Sequence, residues 1–338
     1  MAVEGKNLAF ESVQELLKTP FDSVPTSYNR ETRDLSVCYS PSHPIPAIDI
    51  SAIDLEKLHS ACVDWGFFQI VNHDVSPSLI AKTKEAIERF FGLPKEEKVK
   101  YKLPPNGYDG YGNFVRGDGK YDWCERIYLI TNPVNRRMMF NEVPSFLKET
   151  LEEYLTAMQN VGMKLVKHLG EALKMEVAEM FKDGFQSIRL NLYPRCPNPE
   201  SVMGTINHSD ILGITILTQL NGVNGLEIKK DGEWIKATIG DDALMVNIGD
   251  IFEILSNGVY KSVEHRAIVN TDKDRISTAF FVSPKFDAEI GPMTSVFDSD
   301  SPPLFETTSM EKYMREYFTR TQSGKTNLDY YRRIKVCQ

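Results

Sequence analysis

The chain has no CxxC pair, no uncharged apolar run approaching 18 residues, no excess of basic residues and no phosphate-binding glycine fingerprint. Each absence removes a class of function. The 5 cysteines, Cys38, Cys62, Cys124, Cys196 and Cys337, are odd in number and scattered, which argues against a disulfide framework or a zinc knuckle and favours a reducing compartment. Without a long apolar run no transmembrane helix is expected, and Glu4, Lys6, Glu11 and Glu15 interrupt the N-terminal stretch where a signal peptide would be apolar. Cys337 stands second from the end, outside a prenylation box. A net charge of -8 leaves no basic footprint for nucleic acid. These readings predict a cytoplasmic protein that engages neither membrane nor nucleic acid, takes a small-molecule partner and works as a monomer.

What is present is ample material for a core, 41% hydrophobic over 338 residues. An amphipathic helix is expected over 7–18, then an extended surface connection over 20–46. A short strand follows around Ile48 and Ile50, a helix over 55–63 and a buried strand over 66–71. Ser76-Pro77 has the form of an N-cap followed by a first-turn proline, opening a helix that stops at Gly92. The glycine-rich and aromatic stretch 101–123 reads as a loop, either plain surface or substrate-facing. Leu147, Leu151, Tyr154, Leu155, Met158, Leu165 and Leu169 mark a long one-sided helix.

After Ser187 the apolar period changes to two. Strand signals follow at 213–220, 226–229, 233–237, 243–248, 251–255, 259–268 and 275–282, with Asp231-Gly232 and Asn257-Gly258 as hairpin turns. Many short strands at this spacing suggest a sandwich or jelly roll. The organisation expected is a helix-rich region over 1–185, a jelly-roll core over 186–290 and a helical segment over 291–338 with Tyr313, Tyr317 and Phe318 on its buried face.

The chemistry concentrates in that core. His208 and Asp210 stand at i and i+2, so a strand presents both on one face, and Arg275 and Ser277 repeat the arrangement. If a neighbouring strand brings His265 beside the first pair, two imidazoles and one carboxylate form a facial metal set suited to non-haem Fe(II). A bidentate arginine with a hydroxyl is a receptor for a carboxylate. The bland alternatives are a packed strand histidine and an internal salt bridge. His168 lies beside the stripe of the long helix with no second ligand at helical spacing, and reads as a packing or surface residue.

The set His208-x-Asp210, His265 and Arg275-x-Ser277, with Asn191-x-Tyr193-Pro194 upstream, resembles the plant 2-oxoglutarate and Fe(II)-dependent dioxygenase superfamily. Gly66 to His73, Asp122-Trp123, Asn247-Ile248-Gly249-Asp250 and Ser256-Asn257-Gly258 extend the match to nearly the whole chain. The resemblance implies an α+β fold, a distorted double-stranded β-helix flanked by helices. It implies Fe(II) on His208, Asp210 and His265, and 2-oxoglutarate on Arg275, Ser277 and Tyr193 with Asn191 near the keto-acid end. It further implies O2 as oxidant, ascorbate as reductant, succinate as co-product, and a hydroxylation, demethylation, desaturation or ring closure in specialised or hormone metabolism. By the family pattern, Phe114, Tyr121, Arg126, Tyr128, Phe280 and Phe281 wall the substrate pocket, and the aromatic wall suits a hydrophobic, ring-bearing metabolite. Where the family has glycine after Asn-His this chain has Asp74, which tolerates a left-handed backbone. Two alternatives stay open: an ascorbate-dependent oxidase of the same fold, and a non-catalytic jelly-roll protein that binds a metal or small ligand.

Overall fold

Two sheets carry the protein, and their strands come from both halves of the sequence. The structure is a computed structural model that describes residues 12–30, 37–38, 44–104, 109–113, 118–297, 302–319 and 326–333. Its principal strands, in chain order, are β1 (Val37–Cys38), β2 (Ala47–Asp49), β3 (Phe67–Val71), β4 (Gly110–Tyr111), β5 (Glu125–Asn132), β6 (Gln186–Tyr193) and β7 (Thr205–His208). They continue with β8 (Ile214–Gln219), β9 (Leu226–Lys230), β10 (Glu233–Ala237), β11 (Leu244–Ile248), β12 (His265–Ala267) and β13 (Arg275–Val282). The major sheet has 8 strands in the order β2-β3-β11-β8-β13-β6-β5-β4, and the minor sheet 5 in the order β1-β10-β9-β12-β7. Half of the major sheet, β2 to β5, is therefore built from residues before 185.

The alternation in these strands separates two environments. On β6 the residues Ile188, Leu190 and Leu192 enter the main apolar core together with the stripe of the helix Ser145–Leu173. Arg189, Asn191 and Tyr193 take the opposite face, toward the minor sheet. β13 runs antiparallel beside β6, pairing Arg275 with Tyr193, Ser277 with Asn191 and Ala279 with Arg189. Directly opposed residues share a face, so the polar members of both strands meet on one side. On the other side Gly162 lets the long helix approach β8 and β13. A Cβ there would stand 2.8 Å from Val282 Cγ2 and 3.7 Å from Phe280 Cε1.

Local signals hold at several ends. Ser76 Oγ accepts from Leu79 N at 3.2 Å and Gly92 ends that helix. Asp231 and Gly232 both have positive φ, 52° and 88°, and close the β9-β10 hairpin. Asp74 has φ 62°, the left-handed backbone that an aspartate accepts in place of glycine.

Elsewhere the structure departs from expectation. Residues 251–255 are not a strand: Asp250–Leu255 is a helix in which every residue is buried. A short, wholly buried apolar run shows no period, so helix and strand look alike in the sequence. Asn257-Gly258 is consequently no hairpin. The two residues have positive φ because they terminate that helix, with Gly258 N donating to Glu253 O at 2.8 Å. Of the stretch 259–268 only His265–Ala267 pairs as a strand. At the N-terminus the helix is Val13–Leu16, the rest of 7–18 before Ser12 lying outside the described residues. The connection that follows is not merely superficial, since Val24 and Tyr28 are buried and the Tyr28 ring lies edge-on to Trp123 at 5.3 Å. At the other end the helix Met310–Thr319 buries Tyr313 and half-buries Tyr317, while the Phe318 side chain lies outside the described residues.

Candidate active site

β7 and β12 are antiparallel neighbours in the minor sheet, and their register sets His265 directly opposite His208. The two rings lie 4.3 Å apart between centroids, and Phe67 from the major sheet stands edge-on to His265 at 5.3 Å. The backbone fixes each imidazole. His208 Nδ1 donates to Ile206 O at 2.8 Å and His265 Nδ1 to Val263 O at 3.1 Å. With Nδ1 engaged by the backbone, Nε2 is the atom each ring turns toward a metal.

Both Nε2 atoms approach Asp210, His208 to Oδ1 at 3.6 Å and His265 to Oδ2 at 3.7 Å. Ligand atoms of the three side chains all lie within 4.8 Å of one another, and among the described residues no other group of His, Cys, Asp or Glu gathers in this way. Burial pushes the Asp210 carboxyl up, yet His265, His208, Arg189 and the Thr215 hydroxyl together hold it well below the usual carboxylate range. A buried, deprotonated carboxylate with two imidazole Nε2 atoms beside it suits a cation. Two nitrogens and one oxygen fit Fe(II), leaving coordination positions for other ligands.

The second cluster lies on the major sheet. Arg275 is 1% exposed and Ser277 fully buried. Arg275 Nη1 stands 3.4 Å from Ser277 Oγ, and its guanidinium lies 5.1 Å from the Tyr193 ring centre. Arg275 Nε and Nη2 are buried without hydrogen-bond partners, and no carboxylate pairs with the group among the described residues. Burial lowers its pKa, with Tyr193 opposing the shift. Such a site is charged, desolvated and shaped for an anion. One cavity is lined by His208, Asp210, His265, Arg275, Tyr193 and Arg189. Asn191 is buried and sits opposite Ser277 in the β6-β13 register.

The six expected substrate residues fall in different places. Phe114 lies outside the described residues. Phe280 is a correction: it alternates with Ala279 and Phe281 and faces the long helix, fully buried in the core. Arg126 is another. Its Nη2 donates to Asp122 Oδ2 at 2.7 Å and to Cys124 Sγ at 2.7 Å, so its charge is spent inside the protein. Tyr121 packs on Tyr28 at 5.7 Å within a cluster holding Trp123 and is 6% exposed. Tyr128 and Phe281 lie close together, ring centres 6.3 Å apart, with Tyr128 OH donating to Ser187 Oγ at 2.6 Å. Arg189 reaches over the Phe281 ring at 5.6 Å, and its Nε is buried without a hydrogen-bond partner.

Arg189, Thr215 and Asn247 are the site residues that sequence reasoning passed over. Arg189 shares the parity of Asn191 and Tyr193, a signal that was available. Thr215 Oγ1 donates to Asp210 Oδ2 at 2.5 Å and Asn247 Nδ2 to the same oxygen at 2.9 Å, contacts that depend on strand register.

Comparison with known proteins agrees with this geometry. A family model described as the 2OG-Fe(II) oxygenase superfamily matches residues 184–284, and one described as the N-terminal part of a non-haem dioxygenase in morphine synthesis matches 45–147. The chain is 38% identical to codeine O-demethylase of Papaver somniferum, covering 97% of each protein. It is also 38% identical to oxoglutarate-dependent flavonoid 7-O-demethylase 1 of Ocimum basilicum, over 96% of this chain and 91% of that one. The crystal structure of JOX2 in complex with 2OG, Fe and JA superposes with a TM-score of 0.88 at 34% identity, covering 96% of this chain and 98% of that chain.

Proposed function

Because the chain belongs to the 2-oxoglutarate and Fe(II)-dependent oxygenase superfamily, and is an Fe(II)/2-oxoglutarate-dependent dioxygenase, we propose that His208, Asp210 and His265 hold its iron and that Arg275, Ser277 and Tyr193 hold its co-substrate. The observation that carries this assignment is the meeting, in one cavity, of three clustered ligand atoms with a buried guanidinium that has no carboxylate partner among the described residues. When bound, Fe(II) supplies the redox chemistry that couples decarboxylation of 2-oxoglutarate to succinate with oxidation of the substrate by O2. The protein's part is placement. Arg275 neutralises and orients the distal carboxylate, Ser277 adds a hydroxyl, and Tyr193 lines the channel between the two sheets. Asn191 stands beside this path. Burial of Asp210, His265, Arg275 and Ser277 strengthens each charged contact made there.

The substrate is a small, hydrophobic, ring-bearing molecule that enters past Phe281, Tyr128 and Arg189. The aromatic pair supports this reading, as does the action of the similar demethylases on codeine and on flavonoids. Ascorbate serves as the reductant, and the enzyme acts as a monomer in the cytosol, in specialised or hormone metabolism. No helix among the described residues is long and apolar enough to cross a membrane.

Anaerobic difference spectroscopy of the metal-free protein tests the assignment. Addition of Fe(II) and then 2-oxoglutarate is expected to give a visible charge-transfer band that needs both. Iron binding without such a band would overturn the placement of 2-oxoglutarate and favour the ascorbate-dependent oxidase.

A further inference from the structure

Asp210 is held from two directions by the strand pair β8 and β11. Thr215 on β8 and Asn247 on β11 are directly opposed in register, and both side chains donate to Asp210 Oδ2. The backbone is tied as well, since Asp210 O accepts from Asp250 N at 2.8 Å. A carboxylate oxygen has two in-plane lone pairs, and two donors at 2.5 and 2.9 Å use both. Among the described residues Oδ1 has no such donor; it faces His208 Nε2 at 3.6 Å, while Oδ2 lies 3.7 Å from His265 Nε2.

We propose that Thr215 and Asn247 are positioning residues that restrict Asp210 to a single metal-binding oxygen, Oδ1, and so preserve a coordination position for the keto-acid end of 2-oxoglutarate. This rests on the assignment of His208, Asp210 and His265 as the iron ligands. An Asp210 freed to bind through both oxygens would compete with the keto acid for the metal. A ligand that uses only the carboxylate receptor at Arg275 would not feel that competition.

The experiment uses the full chain with Mn(II) as the metal probe, and compares Thr215→Val, Asn247→Leu and Thr215→Ser by calorimetry. The two ligands titrated into Mn(II)-loaded protein are 2-oxoglutarate and glutarate, which shares both carboxylates but lacks the keto oxygen. Thr215→Val and Asn247→Leu are expected to weaken 2-oxoglutarate about tenfold or more, within the range of about 10- to 100-fold seen for partners of metal ligands, and to leave glutarate unchanged. Thr215→Ser, which keeps the donor, is expected to behave as wild type. Wild-type affinity for 2-oxoglutarate in both Thr215→Val and Asn247→Leu would overturn the proposal. Equal losses for both diacids would overturn it too, because damage would then not be confined to the metal end. Far-UV circular dichroism verifies folding, and Thr215→Val, which keeps the branched shape at a strand position, leaves the question open to test if Asn247→Leu does not fold. Failure of the wild-type protein to bind Mn(II), or binding of 2-oxoglutarate that ignores the metal, would instead strike the iron-site assignment.

Discussion

His208 and His265 are direct cross-strand partners, and each turns its Nε2 toward a different oxygen of Asp210. The pairing makes the two imidazoles a product of the minor sheet, while Asp210 sits in the connection that carries the chain to the major one. Either His265→Ala or Asp210→Ala should therefore remove metal binding without unfolding the sandwich. Loss beyond about 100-fold in Mn(II) affinity is expected, since even partners of metal ligands cost about 10- to 100-fold. Equilibrium dialysis with Mn(II), alongside circular dichroism, checks this, and wild-type affinity in Asp210→Ala would remove it from the ligand set.

Arg275→Met should spare the metal and weaken the co-substrate. The guanidinium is buried and lacks a carboxylate partner among the described residues, so the anion it receives is desolvated. Removing one partner of such a contact costs about 2–5 kcal/mol, roughly 30-fold or more in affinity. Calorimetric titration of 2-oxoglutarate into Mn(II)-loaded protein measures the change.

Arg126 and Arg189 should behave in opposite ways although they lie one strand apart on the same face of the sheet. Arg126→Met takes from the buried Asp122 carboxylate its 2.7 Å ion-pair partner, with Arg30 Nη2 farther off at 3.6 Å, and is expected to cost about 3 kcal/mol of stability. Arg189 forms no ion pair among the described residues, so Arg189→Leu should leave the urea midpoint near wild type and alter which ring-bearing substrates are turned over. Denaturation curves with a small substrate panel separate the two, and unchanged selectivity in Arg189→Leu would place the substrate elsewhere.

These contrasts show what the sequence made legible. Spacing of two within a strand was readable, so His208 with Asp210 and Arg275 with Ser277 could be paired before any coordinates. His265 needed a neighbouring strand, which the motif resemblance supplied and periodicity could not. Arg126 has the right parity for the site, but its partner is Asp122, just before the strand, and a charge neutralised locally looks the same in sequence as a free one. Phe280 and Phe281 are adjacent aromatics with opposite destinations, and parity with Arg275 and Ser277 already puts Phe281 on the site face and Phe280 on the other, a signal that was available. Thr215 and Asn247 are ordinary strand residues until β8 and β11 pair.

His73 should make the fold sensitive to mild acid. Its Nδ1 accepts from Val75 N at 3.2 Å, a role that needs the neutral ring. Burial lowers its pKa, while the Asp242 carbonyl and the charges of Asp74 and Asp242 oppose the shift. A base whose folded pKa is depressed binds more protons when unfolded. Its stabilising contribution is complete above the unfolded pKa of about 6.5 and is lost as pH falls toward the folded value. Urea midpoints measured from pH 7.5 down to 5 should fall, and less steeply in His73→Gln, which retains an acceptor without titrating. Identical slopes would assign the acid response to other groups.

Gly249 controls the approach of β11 to the loop that carries Asp210. Its backbone is ordinary, with φ -102°, so conformational freedom does not explain the residue. Space does: a Cβ would lie 2.1 Å from Leu212 O and 3.0 Å from Asp210 O, and backbone oxygens on a sheet connection cannot swing aside. Gly213 N also reaches back along this seam, donating to Val282 O at 3.1 Å, while Gly249 N donates to Gly213 O at 2.8 Å. Gly249→Ala must push the two segments apart, at a cost of about 1–3 kcal/mol for overpacking. Because Asp210 O accepts from Asp250 N, the displacement also moves a metal ligand. A lowered urea midpoint accompanied by weaker Mn(II) binding in the folded protein is the expected result. A stability loss with wild-type Mn(II) affinity would show that the seam and the carboxylate move independently.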